Sequence, residues 1–127
     1  MSGFTAPLRL AETGEHQQGR PVYVTTQRLT YRLGAERALM VVVVPHGTRT
    51  DLASVPSWAR KWFAPSGPWA PATVVHDYLY AEALVSRAMA DWIFLEAMAT
   101  LNVSPIRRWM MWAAVRLGGA RGYGKPT

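Results

Sequence analysis

The stretch VVHDYLYAEALVSRAMADWIFLEAM, residues 74–98, decides the fold. Its apolar residues recur at the three-to-four-residue spacing of a helix, pause at a short connection and resume. The spacing predicts one helix over 71–83 and a second over 87–101, with Ser86 as N-cap of the second. On the first, Ala72, Val75, Leu79 and Ala83 share one face, with His76 and Tyr80 one turn apart at its edge. Asp77 falls about 100° further round, toward a rim. On the second, Ala88, Leu95 and Met98 form the inward stripe, and Asp91 sits in the middle of it. A short connection makes the two helices antiparallel neighbours, which brings His76 and Asp91 level.

Outward toward the C-terminus, a third helix is predicted over 105–117, with Ser104 as cap, Pro105 in the first turn and Gly118-Gly119 as its stop. Ile106, Trp109, Met110, Ala113 and Leu117 make one apolar stripe on it, flanked by Arg107, Arg108 and Arg116. A domain this small is expected to spend that stripe on its core and leave the arginines in water. The alternative is a basic amphipathic helix lying on an anionic membrane surface or docking into a partner's groove.

Toward the N-terminus the period changes. Leu8 and Leu10, then Val22 and Val24, then Leu29, Tyr31 and Leu33 alternate with polar neighbours, as strands do. An antiparallel meander over residues 4–45 is expected. Gly34-Ala-Glu-Arg37 separates Leu33 from Met40-Val-Val-Val-Val44, so these two runs form a hairpin closed by Pro45. The unbroken Val run suggests burial on both faces. Residues 46–71 mix turn formers with Trp58, Trp62, Phe63 and Trp69, a connection ordered by aromatic packing with a short helix near 57–63.

Strands first and helices later define an α+β fold. The 127 residues form one domain: β-rich over 1–45, the aromatic connection over 46–71, helical over 72–119 and a Gly-rich tail over 120–127 that frays or docks on something larger. Half the residues are apolar and 17% are charged, which is globular composition and not that of a disordered chain. With no cysteine, neither disulfides nor a thiolate-held zinc contribute, and apolar burial must hold the fold. The start lacks a basic segment followed by an apolar run, and no apolar run is long enough to span a bilayer; neither a signal peptide nor a transmembrane helix is expected. The net charge of +6 attracts phosphates of nucleic acid or lipid headgroups without specifying either, and solubility alone accounts for it equally well.

The chemistry is concentrated in the helix pair. An unpaired carboxylate at position 91 would cost several kcal/mol to bury, so Asp91 requires a partner, and His76 is level with it. A carboxylate on one imidazole nitrogen fixes the tautomer and leaves the other as base or ligand, while the Tyr80 hydroxyl can reach the same carboxylate. The same three residues read more simply as a structural tie between two helices, and Asp77 as a solvated surface residue. Asp51 and Ser54 follow the Val strand and could face the pair. An Asp turn satisfying loop amides is the simpler account, and a divalent-cation cluster of Asp51, His76 and Asp77, joined by His46, is the sharper one. No Gly-x-Ser-x-Gly elbow and no Gly-rich phosphate loop is present.

Two resemblances bear on these residues. TDLASVP at 50–56, VVHDYLY at 74–80, SRAMADWIFLEAM at 86–98 and RRWMMWAAVRLGG at 107–119 resemble a family of phage and prophage proteins catalogued as domain of unknown function 1353, over roughly residues 40–119. That resemblance implies a viral origin, among tail or lysis genes, and a location in the virion or the host cytoplasm. It implies no established activity. Separately, His76-Asp77-x-x-Tyr80 followed by Ala90-Asp91-x-x-Phe94 is similar to the core of phospholipases A2, especially the disulfide-free ones of parvovirus capsids. This second resemblance implies catalytic roles for His76 as the base that activates water and for Asp91 with Tyr80 as the groups orienting it, with Asp77 as a ligand of calcium. The sequence departs from those enzymes before the helix, where APSGPWAP at 64–71 holds one Gly and three Pro in place of a Gly-rich calcium loop.

Three functions follow as expectations. The first is a phage accessory protein, part of the virion or tail, acting through contacts with other phage structural proteins. The second is a calcium-dependent lipid esterase of phospholipase A2 type, with membrane lipid as its partner, aiding genome delivery or lysis. The third, less favoured, is a basic virion protein touching nucleic acid.

Overall fold

A computed structural model describes residues 2–17, 19–34, 40–52 and 67–125. The strands are β1 (Gly3–Phe4), β2 (Leu10–Gln17), β3 (Arg20–Thr25), β4 (Leu29–Leu33), β5 (Met40–Val44) and β6 (Arg49–Thr50). The helices α1 (Ala70–Glu82), α2 (Arg87–Thr100) and α3 (Pro105–Gly118) follow, then one 3-10 turn over Ala120–Gly122. The chain is therefore α+β, with strands in its N-terminal half and helices in its C-terminal half. The helix predicted near 57–63, with Trp58, Trp62 and Phe63, and Ser54 and residues 35–37 of the hairpin turn lie outside the described residues.

The meander is replaced by two three-stranded antiparallel sheets, ordered β1-β4-β5 and β2-β3-β6. The hairpin of β4 and β5 forms as expected, Leu29 opposite Val44 and Leu33 opposite Met40. The meander breaks between β3 and β4, because β3 takes β6 as its neighbour, with Tyr23 opposite Thr50. Thr25 explains the choice. Its hydroxyl donates to the Pro45 carbonyl at 2.7 Å and accepts from the Thr48 amide at 2.9 Å, so the turn after β5 is fastened to the end of β3. β6 is thereby delivered to β3, and the chain passes from one sheet to the other.

The Val run is not buried on both faces. Val42 and Val44 are buried against the helices, while Val41 and Val43 are 44% and 39% exposed. It is an alternating strand whose outer face is also apolar. The inner face joins Leu29 and Tyr31 to Val74, Val75, Leu79, Ile93, Phe94 and Met98 in one core. Full burial of side chains of this size is worth roughly 1.5–3 kcal/mol each. Tyr31 carries its hydroxyl into that core and donates it to Glu96 at 2.8 Å, where the Ser2 hydroxyl also bonds, so the N-terminal strand is tied to α2. Burial, and then the Glu96 carboxylate, push the Tyr31 phenol up.

The three helices lie within a residue of their expected limits. Ser86 accepts from the Met89 amide at 3.1 Å and Ser104 from the Arg107 amide at 3.4 Å, as N-caps do. Three readings of their faces change. Ala83 is the left-handed C-cap of α1, with φ 48°, and is exposed. Ala88 is exposed too, and α2 buries Ala90, Ile93, Phe94 and Ala97 beside Leu95 and Met98. The largest change is in α3, where the expected core stripe faces outward: Ile106, Trp109, Met110 and Leu117 are 75%, 49%, 51% and 80% exposed. Met111, Ala114 and Val115 face the core in its place.

After α3 the tail docks on the domain itself. The Gly124 amide donates to the Tyr80 carbonyl at 2.7 Å, and the Tyr123 hydroxyl to that of Val85 at 2.7 Å. Gly119, the last residue of the predicted stop, has an ordinary φ of −86°. Its need for glycine is one of space: a Cβ there would lie 2.5 Å from the Val115 carbonyl and 3.1 Å from the Tyr80 hydroxyl.

Candidate functional site

Asp91 is fully buried on α2, and its carboxylate takes three donors from both neighbouring helices. One oxygen meets His76 Nε2 at 2.6 Å and the Tyr80 hydroxyl at 2.5 Å, both from α1. The other accepts from Arg116 of α3 at 2.8 Å. The level pairing of His76 and Asp91 thus exists as the register predicted. Neither His76 nor Tyr80 lies at an edge, however; they are 1% and 5% exposed. The His76 ring rests on Tyr80 and Phe94, with centroids 4.2 and 4.8 Å away.

The charges of this network follow from its burial. Desolvation holds the His76 imidazole below its ordinary 6.5, against the upward pull of Asp91. Burial by itself would raise Asp91, but hydrogen bonds from His76, Tyr80 and Arg116 outweigh it and hold the carboxyl below 3.8. Burial, then the Asp91 carboxylate, push the Tyr80 phenol up. The resting state is a neutral imidazole beside an ionised carboxylate. An ionised carboxylate only accepts, so Nε2 donates to it.

Sequence reasoning, which places Arg116 in water on the flank of α3, misses it. The signal was the second oxygen of Asp91, which one histidine cannot satisfy. It also missed Arg87, whose guanidinium donates to the carbonyls of Val115 at 2.9 Å and Arg116 at 2.5 Å, closing the C-terminal end of α3 with a cation.

Asp77 points away from this network, as its position on α1 requires, and accepts from the Thr50 hydroxyl at 2.5 Å. The same hydroxyl accepts from the Leu52 amide at 3.1 Å. Thr50 thus makes a turn that accompanies a left-handed Leu52 with φ 56°; the loop amides expected to meet Asp51 lie outside the described residues. Asp51 is buried and stands 3.9 Å from Arg20 on β3. TDLASVP and VVHDYLY thus meet, but through Thr50 and Asp77. His46 is exposed in the turn after β5. Among the described residues no group of three or more His, Cys, Asp or Glu side chains gathers as a metal site, and no helix is long and apolar enough to cross a membrane.

Two short sheets, three helices and a buried His-Tyr-Arg clamp on one carboxylate define a small α+β domain whose polar centre is inside it. Residues 25–115 match the family described as "Protein of unknown function (DUF1353)", and the chain belongs to that family. No curated protein and no solved structure matches the chain.

Proposed function

We propose that this chain is a phage-encoded accessory protein, a virion or tail component that works through contacts with other phage structural proteins, and that the Asp91 clamp serves to make its helical half rigid. The observation that carries this reading is the saturation of Asp91. A carboxylate that is 0% exposed and bound by His76, Tyr80 and Arg116 joins three helices through one group, which is what a contact module needs in order to present a fixed surface. The test is the composition of purified particles of the encoding phage. The chain is expected in fixed ratio to a tail or virion protein; its absence from intact particles overturns the reading.

One observation favours a second reading, a calcium-dependent lipid esterase of phospholipase A2 type. With Nε2 anchored on Asp91 and Tyr80 on the same oxygen, the His76 ring is held as a general base must be. Asp77, partly exposed one residue further on, is a carboxylate for calcium, which when bound would polarise an ester carbonyl. The remaining ligands would be loop carbonyls. Fatty-acid release from phospholipid vesicles, with calcium or a chelator and beside His76→Ala, separates the readings. The accessory-protein reading expects no release, and calcium-dependent release abolished by that substitution replaces it with the esterase.

A further inference from the structure

Helix α3 is apolar on both sides. Met111, Ala114 and Val115 fill the core, and Ile106, Trp109, Met110 and Leu117 protrude from the opposite side. A large apolar face on a helix is ordinarily covered. The protruding side chains span twelve residues, about 16 Å of helix. They form a convex ridge, and scattered single exposures do not produce such a row.

Charge selects what covers it. After Glu96 the sequence has no Asp or Glu and five basic residues, Arg107, Arg108, Arg116, Arg121 and Lys125, so this end carries nearly all of the net +6. Two guanidiniums are held beside the ridge by contacts within the domain. Arg107 lies over the Trp69 ring at 5.9 Å and Arg108 donates to the Val103 carbonyl at 3.1 Å, each keeping its charge, whereas the charge of Arg116 is answered by Asp91. A second copy docking ridge to ridge would set these like charges against each other, and a neutral groove would leave them unanswered. An apolar ridge tipped with Trp109 and bordered by arginines has the composition of a helix lying in the plane of an anionic bilayer surface, apolar tips among the acyl chains and guanidiniums at the phosphates.

We infer that the outward face of α3, built on Ile106, Trp109, Met110 and Leu117, docks on an anionic lipid surface. The inference is independent of whether the chain travels in a particle and of whether His76 does chemistry.

The test is co-sedimentation of the full chain with vesicles of phosphatidylcholine, alone or mixed with an equal amount of phosphatidylglycerol, together with tryptophan emission. Binding to the mixed vesicles is expected, with a blue shift, weakening as salt is raised. Ile106→Glu with Leu117→Glu should reduce it by about tenfold or more, since both side chains sit where bilayer contact is made. Both positions are exposed, so the variant should keep its circular dichroism and melting temperature. A wild-type chain that stays in the supernatant with the mixed vesicles overturns the inference, as does a folded double variant that binds as tightly as wild type. An unbound wild type that self-associates, or that binds an acidic phage protein through this face, assigns the ridge to a protein and overturns it too.

Discussion

Helices α2 and α3 are each 14 residues long and lie against each other, yet they break the inside-outside rule in opposite directions. α2 puts a carboxylate in the core, and α3 puts four large apolar side chains in water, where α2 puts Met89 and Trp92. The difference lies in where compensation comes from. Asp91 is balanced within the chain by His76, Tyr80 and Arg116, so its burial is an internal matter of the fold. On α3 the Trp109 ring meets Trp112 edge-on at 5.6 Å, yet Trp109 stays 49% and Leu117 80% exposed. One exception is balanced inside the fold, the other, on the inference above, by a surface outside it, and substitutions should separate them.

Asp91→Ala should have the largest effect. It leaves a buried imidazole, a buried phenol and a guanidinium without their common acceptor, and removing one partner from such a buried cluster costs about 3–5 kcal/mol. Urea unfolding of wild type and variant measures this directly. A loss below about 1 kcal/mol would mean that the three donors find other acceptors, and the clamp would no longer explain the rigidity of the helical half.

Met111→Ala comes next. The side chain is 1% exposed on the inner face of α3, and truncating a buried methionine costs about 2–5 kcal/mol, depending on how far the cavity collapses. The same unfolding measurement reads it. A small loss would place α3 at the margin of the core and weaken the contrast between its two faces.

How much of this was legible in the sequence depends on which residues carried a local signal. The three helices, their serine caps and the level pairing of His76 with Asp91 all follow from period and capping, which are short-range properties. The sheet order did not, because the Thr25 hydroxyl that fastens the turn at 45–48 joins residues about twenty apart, and no alternation pattern records it. The faces of α3 were misread for a related reason. Apolar residues occupy both sides of that helix, so the stripe that looked most regular was taken as the inner one, although Met111, Ala114 and Val115 are equally apolar. Arg116 and Thr50 were missed because each is a partner chosen by tertiary geometry. The second oxygen of Asp91 hinted at Arg116, and nothing local hinted at Thr50.

The pH dependence of stability sharpens the internal side of the comparison. The His76 pKa is lower in the folded chain than its ordinary 6.5, so below about pH 6.5 the unfolded chain takes up a proton that the folded chain does not. The contribution of His76 is therefore present above 6.5 and is lost as pH falls toward its folded value. Asp91 is also lowered, from 3.8, so its contribution acts in the same direction and is lost at still lower pH. Stability should decline from pH 7 to pH 5, at no more than about 1.4 kcal/mol per pH unit from this one group. His76→Gln, which can still donate to Asp91, should flatten that decline. An equally steep decline in the variant would assign the protons elsewhere.

Met110→Ala is the smallest expected change and the most discriminating one, because Met110 and Met111 are adjacent, chemically identical and 51% and 1% exposed. Their side chains leave the helix about 100° apart, so one reports on the core and the other on the ridge. An exposed methionine has little area to lose on truncation, and unfolding should shift by no more than about 0.5 kcal/mol. The loss should appear in vesicle binding, where the apolar tip is buried only on contact. A stability loss approaching that of Met111→Ala would show that the ridge is already covered within the protein, and the need for a surface outside it would disappear.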